Sequence, residues 1–193
     1  MARLGVIGTL VWDRIHARDG RAEPVEAWGG IAYALEALAA ALPEGWRAVP
    51  LVKVGRDLAP QAWRFLEGVP GLELGAGVRV VAEPNNRVEL RYRDGARRCE
   101  RLTGGVPPWS WPELAPLLEG LDALYVNFIS GFELELPVAA RVRLALRAPI
   151  YADLHSLLLA VGPGGRREPR PLLEWREWLR CFDIVQVNED ELG

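Results

Sequence analysis

Short runs of apolar residues, each closed by a glycine or a polar residue, recur along these 193 residues. Residues 3–9, 48–54, 123–128, 150–152 and 183–187 have the continuous hydrophobic pattern of strands buried on both faces of a parallel sheet. Between several of them the apolar positions fall at helical spacing, over 31–42, 60–66, 134–146 and 172–179. Strand and helix alternate, which predicts an α/β core.

One region breaks the alternation. Residues 78–81, 87–93 and 97–102 read as short strands split by the turn signals Pro84-Asn85-Asn86 and Asp94-Gly95, the pattern of an antiparallel meander. A second candidate hairpin lies at 15–28 around Asp19-Gly20. The expected organisation is one domain over 1–193 with lid insertions at approximately 15–28 and 78–103, which pair beside the main sheet and cover a cleft. Residues 104–112 read as the return linker, and 162–171 as a Gly/Pro/Arg-rich loop inside the α/β part.

Composition narrows the class. Hydrophobic residues make up 50% and charged residues 25%, a balance that excludes a disordered chain. Cys99 and Cys181 are too few for a disulfide framework and fall in no zinc spacing, so a reducing cytoplasmic compartment is expected. The N-terminal segment carries no signal-peptide cleavage pattern, and no apolar stretch approaches the roughly 20 residues of a membrane span. With a net charge of −3 no overall positive field favours nucleic acid. The basic residues are nevertheless clustered: Arg91, Arg93, Arg97, Arg98 and Arg101 crowd the meander, and Arg166, Arg167 and Arg170 the later loop. These are either solvated faces or a means of steering an anion. Lys53 is the only lysine.

Candidate chemistry gathers at strand ends, where ligands of open α/β sheets bind. Gly5-x-x-Gly8-Thr9 lacks the G-x-G-x-x-G of a dinucleotide fold, and Trp12-Asp13 follows instead. Asp13 either accepts hydrogen bonds from substrate hydroxyls or caps a turn. Gly29-Gly30, before the helix at 31–42, lets the backbone pass close to a ligand or simply makes a tight turn. Asn127 and Asp153-Leu154-His155 end later strands and are further candidates for the cleft, with His155 a hydrogen-bond donor behind it. Trp12 and Trp28 flank the proposed site and are candidates for stacking on a ring face. Asn188-Glu189-Asp190-Glu191 reads, taken alone, as a capped helix start with acids facing the dipole.

Taken in order, G-T-L-V-W-D at 8–13, Gly29-Gly30-Ile31-Ala32-Tyr33, L-V-K-V-G-R-D at 51–57 and D-I-V-Q-V-N-E-D-E-L at 183–192 resemble the ribokinase-like, or pfkB, family of carbohydrate kinases. The resemblance runs the length of the chain and corresponds to the N-terminal portion of a family member. It implies a three-layer α/β sandwich with a mainly parallel sheet and a small antiparallel β lid, the C-terminal part of the fold being absent. It also implies an ATP- and Mg2+-dependent transferase that phosphorylates a hydroxyl of a sugar, sugar derivative or nucleoside. Asp13, Gly29 and Gly30 then hold the substrate hydroxyls, and Asn188 and Glu191 organise magnesium and phosphate, since Mg2+ takes hard oxygen ligands, often through water. Asp153 resembles the aspartate of a D-x-N segment in some sugar-acid kinases of the family, with His155 where the asparagine would stand.

The family's G-x-G-D segment, which supplies an anion hole and the catalytic base, does not occur here. The base is expected beyond Gly193, and the chain alone is expected to be inactive. The alternative, from a different class, is a non-catalytic sugar- or nucleoside-binding or interaction protein. The family often dimerises through its lid sheets, so a homodimer is a further expectation, without nucleic-acid or membrane partners.

Overall fold

The structure is a computed structural model that describes residues 1–17, 23–94 and 97–189. Its elements follow in the order β1 (Ala2–His16), β2 (Val25–Gly30), α1 (Ile31–Ala41), β3 (Trp46–Gly55), α2 (Ala59–Gly68), β4 (Val78–Val81), β5 (Arg87–Asp94), β6 (Arg97–Thr103), α3 (Trp111–Leu114), β7 (Ala123–Asn127), α4 (Leu136–Ala145), β8 (Ile150–Asp153), β9 (Leu159–Val161), β10 (Arg167–Pro169), α5 (Trp175–Leu179) and β11 (Ile184–Gln186). Six strands form the main sheet in the order β11-β8-β7-β1-β3-β4, every neighbouring pair parallel.

Alternation along the central strands divides the core into two layers. Ile7, Leu51, Leu124 and Val126 face one side and pack with Leu114 of α3, Ala139 and Val142 of α4 and Trp178 of α5. Val6, Leu10, Ala48 and Val52 face the other and pack with Ile31 and Leu35 of α1 and Ala62 and Leu66 of α2. A sheet covered on both faces is what the continuous apolar runs require. Among the described residues no helix is long and apolar enough to cross a membrane.

Three features depart from the sequence reading. Residues 183–187, expected to be buried on both faces, form the edge strand β11, whose Ile184 and Val185 are exposed. Residues 78–81, expected to open the meander, instead pair in parallel with β3 from Val52 to Gly55 and form the edge of the main sheet. Strand β1 does not stop at Thr9: it runs on to His16, and its far half becomes the lid. There it pairs antiparallel with β2 from Leu10 to Ile15 and parallel with β5 from Trp12 to His16, and β6 completes the lid antiparallel to β5. The Asp19-Gly20 turn, Gly95 and Ala96 lie outside the described residues.

The point where β1 leaves β3 and meets β5 would strand backbone groups, and Asn85 and Asn86 supply their partners. The fully buried Asn85 side chain accepts from Gly55 N at 3.0 Å and donates to Leu10 O at 3.0 Å, while Asn86 O accepts from Trp12 N at 3.0 Å. A buried polar side chain saturated in this way acts as a spacer between two ladders. The loop at 162–171 is more ordered than its composition suggests: with the residues just before it, it forms the hairpin β9–β10, which touches β6 through a bridge between Arg101 and Arg166.

Candidate functional site

The far half of β1 presents Val11, Asp13 and Ile15 on one face. With Val88, Leu90 and Tyr92 of β5, Glu100 of β6, Gly30, Tyr33 of α1, Ile129 and His155, they line a cleft of about 320 Å³ between lid and body. Its floor is apolar: Val11, Val88, Leu90 and Leu102 form their own buried cluster, with Ile15 and Ile129 packed against it. Polar groups enter from the sides, an arrangement suited to a small polar ligand with an apolar ring face.

Asp13 is only 6% exposed. Its diagonal neighbour across the strand pair explains how it fits: a Cβ on Gly29, which pairs with Val11, would lie 1.8 Å from Asp13 Oδ2, so a larger residue at 29 would force this carboxylate to move. Gly30 has φ 62°, and a Cβ there would fall 2.6 Å from Thr9 O. The double glycine lets the backbone approach the carboxylate and Thr9 O closely at the start of α1. Burial first, and then the Asp13 charge, raise the pKa of the Tyr33 hydroxyl.

Asn127 and Asp153 end neighbouring strands and stand opposite one another in the β7–β8 register. They are not among the residues that line the cleft; of the D-L-H triplet, His155 is. Asn127 is 7% exposed, its Nδ2 donates to the Tyr125 hydroxyl at 2.6 Å, and its buried Oδ1 has no hydrogen-bond partner. Burial, reinforced by the Asp153 charge, pushes the Tyr125 hydroxyl up to about 12. The two tyrosine rings of β7 and β8, Tyr125 and Tyr151, pack 5.2 Å apart, and Tyr151 hydrogen-bonds to Gln186 on β11. This polar strip is a second locus along the same carboxyl edge.

Trp12 and Trp28 do not face the cleft. They sit on the opposite side of the β1–β2 ribbon, where their rings meet edge to face at 5.1 Å and Trp28 continues to Phe65. Strand alternation puts Trp12 on the other face from Asp13, so the stacking role expected from sequence is replaced by packing. Asn188 lies exposed just past β11, and Glu191 is outside the described residues. Among the described residues no group of three or more His, Cys, Asp or Glu side chains is placed to hold a metal.

Sequence reasoning did not single out Glu100, Tyr33 or Tyr92 as cleft residues. The period-2 pattern of β5 and β6 carried that signal: Val88, Leu90 and Tyr92 alternate, and Leu102 and Glu100 stand opposite the first two in register.

No protein-family model matches the sequence, and no curated protein matches it. Solved structures do. A pyrophosphate-dependent kinase in the ribokinase family, complexed with a pyrophosphate analogue and myo-inositol, superposes with a TM-score of 0.71 at 17% identity, covering 99% of this chain and 62% of that one. The ribokinase of Thermotoga maritima gives 0.70 at 15% identity, covering 100% and 61%. The Arabidopsis thaliana ribokinase complexed with ribose and ATP gives 0.65 at 18% identity, covering 100% and 62%. The fold is ribokinase-like, and the chain spans about three-fifths of the length of these structures.

Proposed function

We propose that this chain carries the acceptor site of an ATP- and Mg2+-dependent kinase that phosphorylates a hydroxyl of a sugar, sugar derivative or nucleoside. The observation that carries the reading is Asp13: an almost buried carboxylate in the lid half of the central strand, pressed against the Gly29 backbone and lining an open cleft between lid and body. Ligand hydroxyls are suitable donors to a carboxylate on the wall of such a cleft. The ribokinase-like fold supports the same reading.

In this reading Asp13 orients the acceptor, Gly29 and Gly30 bring backbone close to it, and the apolar lid floor excludes water from the reacting hydroxyl. Asn127 and Asp153 contribute from the neighbouring strand ends. Asn188 and Glu191 belong to the donor side with magnesium and phosphate. G-x-G-D does not occur in these residues, so transfer is assigned only to a protein that also supplies that segment.

Calorimetric titration of the chain with ribose, myo-inositol and adenosine tests the acceptor site. Binding of at least one of them, lost in Asp13→Asn, is expected. Absence of binding by all three, or binding indifferent to Asp13, overturns the reading. Transfer is tested on the whole protein with ATP and with pyrophosphate as donors.

A further inference from the structure

Position 100 shares the sheet face that holds Asp13. Asp13 stands beside Val88 in β5, and two residues further along Ile15 stands beside Leu90, which in turn faces Glu100 in β6. Glu100 is thus two strands across and two residues along from Asp13. Strands about 4.8 Å apart with about 3.3 Å rise per residue place the two backbones roughly 12 Å from each other. Both residues line the same cleft of about 320 Å³.

Glu100 is held from behind. Its Oε1 lies 3.9 Å from Arg167 Nε, and the Arg167 side chain is only 2% exposed. Arg167 donates to Ser130 O at 2.8 Å and Ser156 O at 3.2 Å, which fixes the guanidinium in the body of the protein, while Nε finds no hydrogen-bond acceptor. The hairpin β9–β10 delivers this arginine: Gly165, at φ 82°, passes so close to the lid that a Cβ would lie 2.2 Å from Leu102 O. The hairpin is therefore a strap that fixes β6, and with it Glu100, to the body.

We propose that Glu100 is a specificity-determining residue of the lid cleft, accepting hydrogen bonds from hydroxyls of a neutral polyhydroxy ligand and disfavouring ligands that bear a carboxylate or phosphate, with Arg167 as its positioning residue. This rests on the cleft around Asp13 being the acceptor site. Ionised carboxylates only accept hydrogen bonds, so a ligand that bonds to both Asp13 and Glu100 does so through donors. The described lining residues include no lysine or arginine, and Arg167 lies behind Glu100. An anionic group on the ligand would face a carboxylate of like charge, and such juxtaposition is a device of discrimination.

Calorimetric titration of the full chain with ribose, myo-inositol, ribonate and ribose 5-phosphate tests this. In the wild type the neutral polyols are expected to bind at least about tenfold more tightly than the two anions. Glu100→Gln should weaken the neutral ligands by about tenfold and bring the neutral and anionic affinities within about threefold of each other. Arg167→Met should reproduce both effects and Arg167→Lys should restore them; where Arg167→Met fails to fold, Glu100→Gln decides alone. Neutral-ligand binding that is lost in Asp13→Asn but unchanged in Glu100→Gln overturns the role of Glu100 and leaves the acceptor-site reading standing, as does tighter binding of an anion than of ribose. No binding of any probe by the wild type overturns both.

Discussion

Two buried charges stand near the ends of neighbouring parallel strands, and they are handled in opposite ways. Lys53 on β3 lies beside Thr9 of β1 in register, four residues short of Asp13. It is 4% exposed, and protein groups meet its ammonium on every side: Pro108 O at 2.8 Å, Glu113 Oε2 at 2.9 Å and the Trp109 ring with its centroid at 4.9 Å. Glu113 is itself built into the start of α3, where it accepts from Ser110 N and Oγ in a capping box. Asp13 is about as buried, yet its neighbour is a glycine and its face opens on a cleft. The difference teaches that burial of charge alone does not mark a site. Lys53, held by its own chain, is a fastener; Asp13, beside a backbone pared to glycine and on the wall of an open cleft, is the recognition group of the proposed acceptor site.

That contrast can be broken most sharply at Gly29. A methyl at this position would meet Asp13 Oδ2 at 1.8 Å, so Gly29→Ala must displace the carboxylate or the ribbon that carries it. Polyol affinity, measured by calorimetry, should fall by about 100-fold, as expected when two charge-assisted hydrogen bonds are lost together. An affinity close to wild type would show that Asp13 does not touch the ligand. At the other charge, Lys53→Met should act on stability alone. Removing one partner of a buried pair costs about 3–5 kcal/mol, and because a third of the Glu113 side chain is exposed, about 2 kcal/mol is expected here from urea unfolding. Ligand affinity should stay within about twofold, and a larger change would merge the two regions that the comparison separates.

How much of this could be read beforehand follows the same division. Buried strands and the helices between them were legible because a doubly covered sheet imposes continuous apolar runs, and the ordered motif set located Asp13 and the glycine pair in the chain. The extension of β1 into the lid was not, because Trp12 to His16 alternates like any hairpin arm and nothing local says that one strand serves two sheets. Residues 78–81 were misplaced for a related reason: four residues with no helix pattern after them carry no sign of which partner they will take. The tryptophans at 12 and 28 were assigned to the cleft by proximity in sequence, whereas the period of two puts them behind it. Glu100 and Arg167 lie 67 residues apart, and only the strap that joins β10 to β6 makes them neighbours.

The smallest effect concerns the fastener's acid dependence. Burial alone would raise the Glu113 carboxyl, but the hydrogen bonds from Ser110 and Lys53 outweigh it and bring it from an ordinary 4.5 to about 2. A folded pKa below the unfolded one means that, between these values, the unfolded chain binds the proton first. The contribution to stability is therefore complete above about pH 4.5 and is lost as pH falls toward 2. Because Glu113 is partly exposed the amount should be modest, below about 1 kcal/mol, and reduced by salt. Urea midpoints at pH 7, 4 and 3 should show wild type and Glu113→Gln drawing together as the pH falls, with the variant the less stable at pH 7. Midpoints that stay a constant distance apart would mean that Glu113 fastens α3 by its shape and capping geometry, with its charge contributing nothing to the hold on Lys53.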